Sequence, residues 1–125
     1  MEALRGLGAS RTMAQHPNRP EPRADHYLAQ WREYLGYKQE GLADMAGVSH
    51  STISRLESGQ TSLETPFLKR LARIFRIPAS ALLDVNPLGD GRQTAEMLRV
   101  WADIPEQDRE AALKMLRGLQ KQKSS

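Results

Sequence analysis

Residues 39–59, QEGLADMAGVSHSTISRLESG, confine the fold of this 125-residue chain most tightly, because two short helices must meet there across a turn of a few residues. Leu42, Ala43 and Ala46 recur at helical spacing and mark one apolar face, with Ala43 small where a second helix has to cross closely. Gly47 supplies the turn: lacking a Cβ, it takes the positive φ that ends one helix and redirects the chain. Ser49 follows as a natural N-cap, and Val48 before it stands at staple spacing from Ile53, the fourth helical position. The angle at which the second helix leaves the turn is thereby set.

Along that second helix, Ile53 and Leu56 face inward with Val48, which leaves His50, Ser51, Ser54, Arg55 and Ser58 on the opposite side. Ser and Thr are mediocre helix formers, so placing Ser51, Thr52 and Ser54 in one short helix sacrifices propensity for hydrogen-bonding surface. A merely solvated face is usually filled with Glu, Lys and Gln, and this one is nearly free of them. The pattern predicts a helix-turn-helix whose second helix reads DNA.

From Leu28 to about Val85 the chain resembles the phage-repressor-like (Cro/CI-type, XRE) helix-turn-helix transcriptional regulators, with Arg32, Leu35, Gly36, Gln39, Leu42, Ala43, Gly47, Val48, Ile53, Leu56, Glu57 and Gly59 in register. The resemblance implies that Arg32 and Glu57 pair beneath the DNA-binding surface, as a structural rather than a catalytic pair. It implies that Gln39 clamps a phosphate at a helix N-terminus, positioning the protein without reading sequence. His50, Ser51 and Arg55 match positions that reach base edges, with Ser54 beside them, while Ser49, Thr52 and Thr61 complete the DNA-facing set, the two threonines at phosphates. Arg55 is suited to bind O6 and N7 of guanine bidentately, worth about 1–3 kcal/mol of discrimination. His50 and Ser51 each donate or accept, so sequence leaves their preferred base open. The plainer alternatives are an Arg55 paired with a surface acid and a His50 that is only solvated.

Composition agrees with a small binding protein. The length holds one compact domain plus tails, and residues 25–85 suffice for a modest helical core. Having no cysteine, the chain is not a disulfide scaffold. No apolar run approaches the roughly 20 residues that span a bilayer, and the first residues lack the apolar stretch of a signal peptide. The expected setting is cytoplasmic, in a bacterium or phage and associated with the nucleoid. No cofactor or metal is implied: His16, His26 and His50 lack ligand spacing. An enzyme is not expected either, because no Ser, Cys or His stands in a nucleophile arrangement and no Gly-rich phosphate loop follows a strand.

Net charge supports DNA binding only weakly. Residues 25–85 carry seven basic and seven acidic side chains, so the head is formally neutral and dimeric, sequence-specific contacts have to make up for the missing phosphate neutralisation. The loop after the second helix, Gln60, Thr61, Ser62, Leu63, Glu64, has no base. Lys69, Arg70, Arg73 and Arg76 cluster on the next helix, more simply read as a solvated face opposite Leu68, Leu71, Ala72 and Phe75 than as a DNA flank.

The expected architecture is all-α: a compact five-helix repressor-like DNA-binding domain with a C-terminal two-helix extension. Helices are expected at about 25–35, 39–46, 49–58, 66–75 (Thr65 as cap, Pro66 first) and 79–83. The expected core is Trp31, Leu35, Leu42, Val48, Ile53, Leu56, Leu68, Leu71, Phe75, Leu82 and Leu83. Residues 1–24, rich in Pro and Gly without apolar periodicity, are expected to be a flexible N-terminal segment, and translation from Met13 would shorten it. After a linker at 86–91, helices at about 93–102 and 105–121 carry apolar stripes, for packing on the head or for dimerisation. In 92–125 the acids Glu106, Asp108 and Glu110 lead the last helix and Arg117, Lys121 and Lys123 close it.

These expectations combine into a homodimeric repressor acting by promoter occlusion on a pseudo-palindromic double-stranded operator, with no membrane role. The alternatives are an antitoxin that autoregulates through the same domain while a terminal extension masks a toxin, and a protein-binding transcription coactivator that touches the basal machinery through the head; residues 92–125 are a candidate surface for a protein partner.

Overall fold

The computed structural model describes residues 24–124. Among these residues the chain is all-α, with no strand: α1 (Leu28–Leu35), α2 (Gln39–Ala46), α3 (His50–Ser58), α4 (Thr65–Phe75), α5 (Ala79–Asp84), α6 (Arg92–Asp103) and α7 (Arg109–Ser124), a 3-10 turn at Glu106–Asp108 preceding α7. The segment 1–24 expected to be flexible lies, apart from Ala24, outside the described residues.

Helices α1–α5 close around Leu28, Trp31, Leu42, Ile53, Leu71, Phe75 and Leu82, all essentially inaccessible to solvent. Trp31 is buried with its polar atom satisfied, as a buried indole requires: Nε1 donates to the Ala81 carbonyl at 3.0 Å. Tyr34 meets the Trp31 ring edge-on, and Tyr37 stacks on Phe75. Of the expected core, Leu35 and Val48 sit half-buried at its margin, and Leu83 is 43% exposed. Leu82 and Leu83 stand about 100° apart around a helix of little more than one turn, so only one of them faces inward. Leu28, Ile77, Ala81 and Ala95 fill the core instead.

Helix α1 begins three residues later than its apolar pattern suggests. The Tyr27 N–H donates to the Leu82 carbonyl at 2.7 Å, anchoring this stretch to α5. The buried His26 accepts the Leu28 N–H on Nδ1 at 3.2 Å, supplying from one position before the cap what a capping side chain normally supplies. At α4, Glu64 rather than Thr65 holds the cap position, without a side-chain capping bond; Thr65 is already helical and Pro66 sits in the first turn, where no N–H is needed.

The C-terminus of α4 is held differently from those of α1, α2 and α3, which end on left-handed glycines. Arg76 takes the left-handed conformation (φ 61°) at a cost of about 1–2 kcal/mol for a residue with a Cβ. Its guanidinium reaches α6, donating to the Ala102 carbonyl at 2.7 Å and pairing with Asp103 at 3.1 Å. Between α5 and α6 the chain forms a tight turn: Pro87 is fully buried, and the Asn86 carbonyl accepts the N–H groups of Gly89 and Gly91 at 3.1 and 2.9 Å. A Cβ on Gly91 would come within 2.7–2.9 Å of Val85 and the Asn86 backbone, so only glycine fits. Ala95, fully buried, and Leu98 pack α6 on the head.

Beyond that contact, α6 and α7 face each other across an apolar groove of about 570 Å³ lined by residues including Met97, Trp101, Leu113, Leu116 and Leu119. The last helix starts at Arg109 rather than at Pro105, after the 3-10 turn. Arg109 fixes this corner, donating to the Ile104 and Trp101 carbonyls at 3.1 and 3.3 Å while its guanidinium lies 5.3 Å from the Trp101 ring centroid.

Candidate nucleic-acid interface

The turn between α2 and α3 is held from both sides. Gly47 adopts φ 76°, and the Val48 N–H returns to the Ala43 carbonyl at 3.0 Å. Arg70, from the basic cluster of α4, is not simply solvated: Nη1 donates to the Ala46 carbonyl at 2.9 Å, and its guanidinium lies over Phe67. One orphan carbonyl at the end of α2 is thereby satisfied.

Ser49 caps α3, its Oγ accepting the Thr52 N–H at 3.2 Å. The same oxygen lies 2.9 Å from Thr52 Oγ1 and 3.1 Å from Ser51 Oγ, so three hydroxyls form one cluster at the N-terminus of the helix. His50, Ser51, Ser54 and Arg55 are exposed, while Thr52 is half-buried. Neither a hydrogen bond nor an ion pair engages the Arg55 guanidinium among the described residues, so the surface pairing considered for it does not occur there. The Arg55 carbonyl closes the other end of α3, accepting the N–H groups of Gln60 and Thr61 at 3.0 and 3.3 Å, and Thr61 is exposed beside it.

Beneath this surface lies a chain of polar groups drawn from three helices. The Glu57 carboxylate, its side chain 7% exposed, accepts Arg32 Nε at 2.6 Å and Nη2 at 3.1 Å. A third donor, Gln39 Nε2, reaches Glu57 Oε1 at 2.8 Å, and Gln39 Oε1 lies 2.8 Å from His50 Nε2. Arg32 Nη1 also donates to the Tyr37 carbonyl at 2.8 Å. The sequence-derived set is therefore divided: Arg32, Glu57, Gln39 and His50 form one connected network, Ser49, Ser51 and Thr52 a second, and Ser54, Arg55 and Thr61 stand apart on the surface.

The electrostatic result is specific. Glu57, the single acid of α3, is turned inward and neutralised, so the outer face offers hydroxyls, an imidazole and a free guanidinium to an anionic partner, without a carboxylate to repel it. Behind α3, burial pushes the His26 imidazole below its ordinary pKa, against the opposing influence of Asp25, a backbone hydrogen bond to Leu56, and Glu57. Neither the Gln39–His50 contact nor the tether from Arg70 was anticipated from sequence. The signal for the first was available, since the two residues open the adjacent helices α2 and α3.

A short tightly turned helix pair with a polar outer helix, supported from below by an Arg–Glu pair, defines a helix-turn-helix DNA-binding regulator. Residues 28–82 match the helix-turn-helix family, and over this stretch the chain is similar to the Cro/CI-like XRE regulators of transcription. None of the curated proteins matches the chain. Among the described residues no helix is long and apolar enough to cross a membrane.

Proposed function

We propose that this protein is a sequence-specific, homodimeric repressor that occludes promoters by placing α3 in the major groove of a pseudo-palindromic operator. The observation that carries this reading is the outer face of α3, where Arg55, His50, Ser51 and Ser54 are exposed while the helix's only carboxylate is neutralised inside. Arg55 reads guanine, Gln39 contacts a phosphate from the start of α2, and Ser49, Thr52 and Thr61 line the backbone. Residues 25–85 act as the reading head, 86–91 as the connection and 92–125 as the dimerising extension. The setting is cytoplasmic and nucleoid-associated.

The dimer is supported by the α6–α7 groove, which leaves Met115 73% and Leu119 63% exposed. Apolar faces of this kind are normally covered by a partner. Acids lead into α7 at Glu106, Asp108 and Glu110 and bases follow at Arg117 and Lys121, so two copies packed antiparallel would set acid against base at both ends. Two heads joined this way would present their α3 helices to successive major grooves about 34–36 Å apart.

Selection of random duplex DNA by the full-length protein tests this reading. A two-fold symmetric motif is the expected result. The groove also favours a second reading, in which it takes a different protein, as in an antitoxin or coactivator. Absence of any enriched duplex together with a co-purifying protein partner would replace the first reading by the second.

A further inference from the structure

We infer that His50 is a specificity-determining residue that accepts a hydrogen bond on Nδ1 from the exocyclic amino group of a base, adenine N6 or cytosine N4, in the major groove. This rests on the reading of α3 as the groove-binding helix.

The inference follows from which atoms are able to donate. A carboxylate offers only lone pairs, so the Gln39 atom 2.8 Å from Glu57 Oε1 is the amide nitrogen. That fixes the amide: its oxygen is the atom turned to His50, 2.8 Å from Nε2. An amide oxygen only accepts, so His50 Nε2 carries the proton and gives it to Gln39. The other imidazole nitrogen of the neutral ring, Nδ1, is then a bare acceptor. Arg32 secures the far end, because its two bonds to Glu57 hold the carboxylate that orients Gln39.

An acceptor that meets a base edge discriminates between bases. Adenine and cytosine present an amino donor in the major groove, whereas guanine and thymine present acceptors at the corresponding edge. In isolation an imidazole shows no such preference, because it exchanges its proton between the two nitrogens. The relay from Arg32 through Glu57 and Gln39 removes that choice, so a pair buried for structural reasons also sets the chemistry of a surface atom two links away.

The test uses the full-length protein and duplexes selected at pH 8.5, where an imidazole is neutral. His50→Ala first identifies the base pair whose preference depends on this residue. At that pair, removing only the amino group, by purine for adenine or 2-pyrimidinone for cytosine, should weaken binding by wild-type protein on the order of tenfold. It should leave binding by His50→Ala unchanged. Replacing the purine by its 7-deaza analogue, which deletes the N7 acceptor, should have no effect on the wild type. Loss of binding with the 7-deaza base but not with the amino-deleted base would overturn the inference while the groove-binding reading stands, as would a selected motif in which no position depends on His50. Selection of no duplex at all would overturn both.

Discussion

Arg32 and Glu57 are joined by two parallel hydrogen bonds, Nε to Oε2 at 2.6 Å and Nη2 to Oε1 at 3.1 Å, which tie α1 to the end of α3 across 25 residues of chain. With side chains only 13% and 7% exposed, neither charge is well solvated by itself. Glu57→Ala should therefore destabilise the protein by about 3–5 kcal/mol, a large part of the stability of a small domain. Urea unfolding followed by circular dichroism measures it. A midpoint unchanged from wild type would mean that solvent already screens the pair.

Arg55→Ala should leave the unfolding free energy within about 0.5 kcal/mol of wild type, as for other surface substitutions, because its exposed guanidinium braces nothing. Its effect should fall on discrimination at a single base pair, about 1–3 kcal/mol, read from binding to the selected duplex and its single-base variants. Equal weakening on all duplexes would instead place Arg55 at a phosphate.

Gln39→Ala should act in two ways. Losing a phosphate donor weakens binding to every duplex by about 1 kcal/mol. Because Gln39 also holds His50, the variant should in addition flatten the preference at the base pair that His50 contacts. Uniform weakening with that preference intact would separate the two roles.

His26 makes stability depend on mild acid. Its folded pKa lies below the unfolded value of 6.5, so the unfolded chain binds more protons in the interval between the two. The stabilisation is complete above pH 6.5 and is lost progressively as pH falls below it, with a slope of at most about 1.4 kcal/mol per pH unit. Protonation also removes the lone pair that accepts the Leu28 N–H. His26→Asn, whose Oδ1 can take over as acceptor, should flatten the urea midpoint between pH 7.5 and 5.5. A parallel decline in both proteins would assign the sensitivity to other groups.

Leu116→Glu should convert the proposed dimer to monomer with the head still folded, since the side chain is 48% exposed and lines the α6–α7 groove. Light scattering reads the mass and circular dichroism the fold. Operator affinity should fall with loss of the dimer. A wild-type protein that is already monomeric at micromolar concentration would reject this use of the groove.

The helix pair was legible because its signals are local: Gly47 at the turn, Ser49 as cap, and Leu42, Ala43, Ile53 and Leu56 at helical spacing. The Arg32–Glu57 contact was reachable only through family resemblance, since nothing in the spacing of 25 residues announces it. What remained hidden depends on tertiary placement. His26 is not among the usual capping residues, so its apolar neighbours alone suggested a longer α1. Arg70 and Arg76 lie in a basic run that reads as solvated, yet each reaches a backbone carbonyl 24 or 26 residues away.

The strained, left-handed Arg76 bears on how such a protein would measure DNA. Through Ala102 and Asp103 it clasps the far end of α6, while the buried Pro87 and Ala95 fix the near end. In a dimer built on α6 and α7, the joint between each head and the two-fold axis would have little slack, and the pair of heads would behave as a calliper set to one opening. One extra base pair between half-sites turns the second site by about a tenth of a revolution around the duplex. A calliper of that stiffness would reject operators that a loosely jointed dimer tolerates, so promoter choice would be decided by spacing as well as by the letters read.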